Sequence, residues 1–395
     1  MDSKIITEAV ILAGGLGTRL APLTNYRPKP LLAIGNYSML DWTFFMLASN
    51  GIERIIVVVN YLGDQIKNHI KNVTSKIHPS LEIIVLDVNS KGTADAVHVV
   101  SNMILSDNFF VTMSDIVTNI DLKEMAQFHF KNDGIATISL KSTLDDPKQF
   151  GVVLIDEKGK ILRFLEKPSL EELHVTKKLT DIHQLVNYQA NLISSGIYCF
   201  KKEILDILEN INLSDFGKNV FPFLLQRKLG IFGFRNEEDY YWKDCGNPNQ
   251  LLDANLDVLK GENWPYSPKG TKENGSWIGN DHKFEKIFIK RPVAIGNNVQ
   301  IKTGTKIHLS SINDECTIGK HCKISKSLIW EHVTIGNGVS IENSIISDNV
   351  IIGDNCTIEE ETMIPSGYII PSNSYIKKGV VILDYSSKII PETIF

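Results

Sequence analysis

Between Leu12 and Leu32 the chain reads LAGGLGTRLAPLTNYRPKPLL. Gly14, Gly15 and Gly17 leave backbone without side chains, so an anion can approach the main-chain N–H groups closely. Arg19 and Lys29 add positive charge a short distance on. A Gly-rich turn followed by two cations suits a polyphosphate. Two common phosphate motifs are absent. Thr18-Arg19 follows Gly17 where a P-loop needs Lys-Ser/Thr, and Leu20 stands where the dinucleotide fingerprint needs a third Gly. On residue types alone the loop is either a phosphate cradle or a tight turn.

Carboxylates recur further along. Asp115 ends Met113-Ser114-Asp115, and Asp244 lies in Trp242-Lys243-Asp244-Cys245-Gly246. Two carboxylates together with phosphate oxygens and water suit Mg2+, which prefers oxygen ligands and keeps its waters. Each Asp alone is equally a turn or helix cap. Glu166-Lys167 is a further charged pair, and by itself an ordinary exposed one.

Strands and helices must position these residues. Ala9-Val10-Ile11, directly before the glycines, reads as a buried strand. Ile55–Val59 is a β-branched run fit for a strand covered on both faces. Strands are also expected over 81–86, 108–112, 135–140 and 192–200, with a hairpin from Gly151 to Pro168 turning at Glu157-Lys158-Gly159. Helices are expected over 39–49, 64–72, 93–102, 122–131 and 247–259. Such alternation implies an α/β fold with a mostly parallel sheet. Ligands then belong at the carboxyl ends of its strands, where the Gly-rich loop and Asp115 both fall. Residues 169–191 are polar and weakly patterned.

Residues 261–275, GENWPYSPKGTKENG, read as a linker. A repeat comes next. Ile295, Ile312, Ile329 and Ile346 are seventeen apart, as are Ile301, Ile318, Ile335 and Ile352, and again Ile307, Ile324, Ile341 and Ile358. Three isoleucine columns at spacings of six, six and five describe a triangular coil with one strand per side, a hexapeptide parallel β-helix. Ile278 stands one period before Ile295, and Ile364, Ile370 and Ile376 continue after a one-residue slip. Cys316, Cys322 and Cys356 sit two residues before a column isoleucine, in slots elsewhere held by Val299, Thr305, Val333, Val339 and Val350. They read as small core residues. His308, His321 and His332 read as corner residues, since no long loop breaks the register from 295 to 358 as an acyltransferase site would need.

The 395 residues favour two domains, and their net charge of −5 gives no reason to expect nucleic acid or an anionic membrane as a partner. The five cysteines contain no CxxC pair, so neither a zinc site nor a disulfide framework is indicated. No apolar run approaches a membrane span, and Asp2 and Glu8 do not fit a signal peptide, so a cytoplasmic protein is expected.

The string GGLGTRLAPLT with RPKPLL closely resembles the signature loop of the sugar-1-phosphate nucleotidyltransferases, the NDP-sugar pyrophosphorylases, and the resemblance runs on to about residue 260. It implies a Rossmann-like nucleotidyltransferase domain over 1–260, a linker over 261–275, a left-handed β-helix over 276–383 and a tail over 384–395. It also implies that Leu12, Ala13, Gly14, Gly15, Gly17 and Thr18 line the nucleotide. Arg19 would face the departing pyrophosphate, Lys29 the α-phosphate and Lys167 the sugar phosphate. Asp115 and Asp244 would bind Mg2+, while Gly151, Glu166 and Ser195 would border the sugar. Ser195 stands where the family usually has Asn or Thr. Gly92-Thr93-Ala94-Asp95-Ala96 resembles the base-binding element, whose partner five residues earlier is Asp87 here and typically Gln in uridylyl- and thymidylyltransferases. A carboxylate only accepts hydrogen bonds, which suits guanine N1–H and its exocyclic amine. A one-residue shift would put Val88 there instead. Together with the coil half this resembles the GDP-mannose pyrophosphorylases, implying GTP and mannose 1-phosphate as substrates. Glucose 1-phosphate with another nucleotide is the alternative. Some relatives are non-catalytic regulatory or translation-factor subunits. The β-helix is expected to pack against the catalytic domain or to build a homo- or hetero-oligomer.

Overall fold

The computed structural model describes residues 5–142, 147–173, 192–211, 214–236, 239–263 and 265–382. Most of 169–191 and the tail 384–395 lie outside them; within the former, Ser169 and Glu172 exchange side-chain and main-chain hydrogen bonds of 3.2 and 2.8 Å as a helix-starting capping box. The chain divides into two compact units. One comprises the residues up to Gly15, Phe44–Ile116 and Ile120–Trp242; the other comprises Leu16–Thr43, Val117–Asn119 and the residues from Lys243 on. The segment carrying Arg19 and Lys29 clusters with the coils.

The first unit is built on a nine-stranded sheet. Glu8–Ala13 lies between Arg54–Val59 and Asn108–Met113, parallel to both, and Glu82–Asp87 extends the parallel half. Ile55, Ile56, Val57 and Val59 are fully buried, as a β-branched interior strand requires. Successive strands lie on opposite sides of Glu8–Ala13, which makes its carboxyl end the switch point where open α/β sheets bind ligands. The registers Ala13↔Val59, Val59↔Asp87 and Leu12↔Met113 bring the strand ends level. Beyond Asn108–Met113 the sheet turns antiparallel. Leu192–Lys201 pairs with Asn108–Met113, with Ala136–Ser142 and, at Ile193↔Val152, with the hairpin Gly151–Ile155/Ile161–Glu166. Its register shifts between Ser194 and Tyr198, where Gly196 takes φ 79°. Such bulges re-aim side chains beside functional sites.

In the second unit the isoleucine columns become three parallel sheets. The first runs through Ile278, Ile295, Ile312, Ile329, Ile346 and Ile364, and the second through Phe284, Ile301, Ile318, Ile335, Ile352 and Ile370. The third runs through Ile289, Ile307, Ile324, Ile341, Ile358 and Ile376. Ile278 does open the first coil, and the slip before Ile364 is taken up without loss of pairing. A coil cannot bury its inner face alone, so stacking makes the core. His321 and His332 sit at exposed left-handed corners, as expected.

Cys316, Cys322 and Cys356 are buried, and each thiol donates to a carbonyl of the next coil, Trp330, Gly336 and Pro371, at 3.0 Å. Burial raises all three, Cys316 to about 12. Cys199 and Cys245 are buried as well. The native protein is therefore expected to leave all five thiols unreacted with a disulfide reagent such as DTNB at pH 8, and to release all five in guanidinium. A thiol titrating within seconds in the native state would contradict the core assignment.

Candidate nucleotide site

The loop takes its shape from Gly17. Its φ of 65° favours glycine, and a Cβ there would lie 3.0 Å from both Lys29 Cβ and Thr24 Cγ2. Thr24 Oγ1 donates to the Gly17 carbonyl at 3.1 Å, and Leu20 N donates to it at 2.9 Å. The stem of Lys29 is thus packed under Gly17, leaving the residue 8% exposed. Pro28 and Pro30 fix the backbone on either side of Lys29 in the turn Lys29–Leu31. Arg19 is exposed, and its guanidinium lies over Gly246, where a Cβ would meet Nη2 at 2.7 Å. Gly246 is two residues from Asp244, the last residue of Trp242–Asp244, a strand paired with Ile116–Thr118. The fold therefore brings the loop cation to the Trp-Lys-Asp-Cys-Gly element across more than 200 residues of sequence.

In the other unit, Gly14 packs on Asn60, while nothing lies within 4 Å of where a Gly15 Cβ would be. Ser114 N and Oγ both donate to the Leu12 carbonyl, at 3.2 and 2.9 Å, which ties the Gly-loop strand to the strand that delivers half-buried Asp115. Asp87 is exposed at its strand end, whereas Val88 is buried in the core, so Asp87 is the one of the pair that faces outward. One neighbour was not foreseen. Lys67 Nζ lies 3.2 Å from Asp87 Oδ2 and 3.2 Å from Asp64 Oδ1. In sequence Lys67 reads only as the partner of Asp64 three residues back.

A second unforeseen element is Ser214–Val220. Its Ser214 carbonyl accepts from Ala94 N at 2.9 Å and Asp95 N at 3.1 Å, and sits 2.5 Å from where a Gly92 Cβ would be. Phe216 N donates to Thr93 Oγ1 at 3.1 Å. Gly217 lies against the Glu166 carboxylate, which also lies 3.1 Å from a Cβ on Gly151. Burial raises the pKa of Glu166, with Lys167 opposing. One segment thus links Gly92-Thr93 to Glu166 and Gly151. The available signal was Asp215-Phe216-Gly217-Lys218, a glycine between an aromatic and a cation. Lys167 is exposed with φ 48°. Ser195 is buried, and its carbonyl accepts from Trp242 Nε1 at 2.9 Å.

Arg19 is held over Gly246 by the absence of a side chain. Gly246→Ala should displace its flexible guanidinium while leaving the backbone in place. Pyrophosphate binding is expected to weaken about tenfold by calorimetry, with the melting temperature unchanged. Unaltered affinity would mean that Arg19 plays no part in holding the anion.

Residues 8–261 match the family described as Nucleotidyl transferase, and residues 282–376 match the EIF2B subunit epsilon LbH domain, a left-handed β-helix. Mannose-1-phosphate guanylyltransferase 1 of Arabidopsis thaliana is 28% identical, over 82% of this chain and 86% of its own length. The UTP–glucose-1-phosphate uridylyltransferase of Synechocystis is 28% identical over 82% and 83%. Glucose-1-phosphate adenylyltransferase 2 of Vibrio cholerae is 29% identical over 82% and 90%. With a glycine loop at the switch point of an α/β sheet and the family match spanning that whole sheet, the chain belongs to the nucleotidyl transferase family.

Proposed function

We propose that the protein joins a nucleoside triphosphate to a sugar 1-phosphate, releasing pyrophosphate, with GTP and mannose 1-phosphate as the preferred pair. The observation that carries the reaction class is the placing of Arg19 over Gly246, two residues past Asp244. The sugar phosphate oxygen attacks the α-phosphorus in line and pyrophosphate leaves. That oxygen is already anionic at neutral pH, so no protein nucleophile or general base is needed. Catalysis is alignment plus charge neutralisation. Arg19 takes the departing pyrophosphate, Lys29 the α-phosphate and Lys167 the sugar phosphate. Gly14, Gly15 and Gly17 offer backbone to the nucleotide, and Gly151, Glu166 and Ser195 border the sugar.

Among the described residues no three His, Cys, Asp or Glu side chains cluster to grip a metal unaided. A pair of carboxylates completed by phosphate oxygens and water fits Mg2+, and Asp115 and Asp244 would hold it. When bound, the ion offsets charge on the triphosphate. GTP is favoured because exposed Asp87 presents acceptors to N1–H and the exocyclic amine of guanine, while Lys67 beside it offers a donor to O6. The relatives divide between mannose and glucose 1-phosphates and among three bases, so glucose 1-phosphate with another nucleotide is the second assignment. A non-catalytic subunit is the third, favoured by the EIF2B match of the coils; the presence of Arg19, Lys29, Asp115, Lys167 and Asp244 stands against it.

Pyrophosphate release over a grid of GTP, ATP, UTP, dTTP and CTP with sugar 1-phosphates tests all three. GTP with mannose 1-phosphate is expected to give the highest kcat/KM; a dTTP or UTP preference would remove the role given to Asp87, and no turnover anywhere would favour the non-catalytic subunit. Asp115→Asn and Asp244→Asn are each expected to lower Mg2+-dependent turnover by roughly 10²–10³, the usual loss for a preorganised charge. Near-normal rates in both would refute the metal assignment.

A further inference from the structure

Position 314 of the β-helix recurs at 331 and 348, one coil apart each time, and all three residues are acidic: Asp314, Glu331 and Asp348. Segments from outside the coils supply the cations. Lys269 Nζ meets Asp314 Oδ2 at 2.7 Å. Arg27 Nη2 lies 2.7 Å from Glu331 Oε2 and 3.0 Å from Asp348 Oδ1, with its Cζ 5.4 Å from the Trp330 ring centroid. The other oxygen of Glu331 accepts from Asn313 Nδ2 at 2.8 Å. Nothing in the proposed chemistry uses this cluster, yet Arg27 is two residues from Lys29.

We propose that Arg27 is a positioning residue: clamped between Glu331 and Asp348 and laid on Trp330, it fixes the aim of Lys29 from a coil of the β-helix. This rests on the assignment of Lys29 to the α-phosphate. The connection is short and stiff. Pro28 has φ −63° and ψ 143°, Leu31 N donates to the Pro28 carbonyl at 2.9 Å, and Pro30 restrains the far side. Two stops therefore act on Lys29, Gly17 against its stem and Arg27 at the root of its turn. Charge and burial act together in the clamp. Burial disfavours ionised Glu331, but Arg27 and the hydrogen bonds override it and hold Glu331 to about 2. Burial pushes Asp348 up to about 8 against the pull of Arg27, and its hydrogen bond to Glu331 adds to the rise. Arg27 thus faces both carboxyl groups at ion-pair distance, which fixes its geometry.

A double-mutant cycle on the full chain tests this, with pyrophosphate release on the best substrate pair as readout. Arg27→Met removes both ion pairs and keeps a stem over Trp330. It is expected to lower kcat about tenfold or more while moving either KM less than twofold, because the charge Lys29 stabilises develops in the transition state. In a Lys29→Ala background the same change should cost less than twofold, since the residue it positions is already gone. Equal fold-losses in both backgrounds would overturn the inference while sparing the role of Lys29, as would a rise in KM with kcat unchanged. A normal rate for Lys29→Ala alone would instead overturn the role of Lys29, and the inference with it. The same cycle with Glu331→Gln, which removes the charge and keeps a hydrogen-bonding side chain, carries the test where Arg27→Met does not yield folded protein.

Discussion

Acidic side chains repeated at one corner of a stacked coil cannot stand there unaided. Neighbouring coils are separated by about 5 Å, the spacing of strands in any sheet. At that distance like charges oppose each other and the stacking that makes the core. Asp314, Glu331 and Asp348 are held in this way, and the protein answers with Lys269 and Arg27. Breaking such a partly buried pair by removing one partner is far more damaging than never having it. Because Arg27 belongs to the stretch that begins with the glycine loop, charge balance in the β-helix and the shape of that loop are one problem.

The sheet unit depends on geometry more than charge. Parallel strands in register end at one level, so Ala13, Val59, Asp87 and Met113 deliver their following residues to a common edge. Close backbone approach then sets the details. Gly92 admits the Ser214 carbonyl, and Gly217 admits the Glu166 carboxylate, at places where any Cβ would intrude. Thr93 and Glu166 are thereby linked through one segment, residues 214–220.

Much of this was legible in the sequence because it is periodic or local. The isoleucine columns prescribe three sheets, and the sheets obey them, including the slip before Ile364. The helix over Met39–Ser49 falls where the apolar pattern puts it, and the strands Glu82–Asp87 and Asn108–Met113 each run one residue past the expected ends at Leu86 and Thr112. The antiparallel half around Leu192–Lys201 carries no such mark, since a buried strand reads alike in either direction. Lys67 beside Asp87 joins residues twenty apart, and Arg27 with Glu331 residues 304 apart. Ion pairs at such separations leave no trace in spacing. The grouping of Leu16–Thr43 with the β-helix in one unit is likewise a long-range feature that spacing does not show.

The near-identity of successive coils raises the matter of alignment. A ladder of equivalent rungs does not say which rung an incoming strand of chain should grip, because Asp314 with Glu331 and Glu331 with Asp348 offer Arg27 similar seats. Non-repeating contacts break the tie: Asn36 Nδ2 reaches the Ile312 carbonyl at 2.9 Å, while Asn255 Oδ1 accepts from both Gly35 N and Ser311 Oγ, at 3.0 and 2.6 Å. These asparagines act as a vernier. They make the seventeen-residue repeat, which is indifferent to translation by one step, hold a single address.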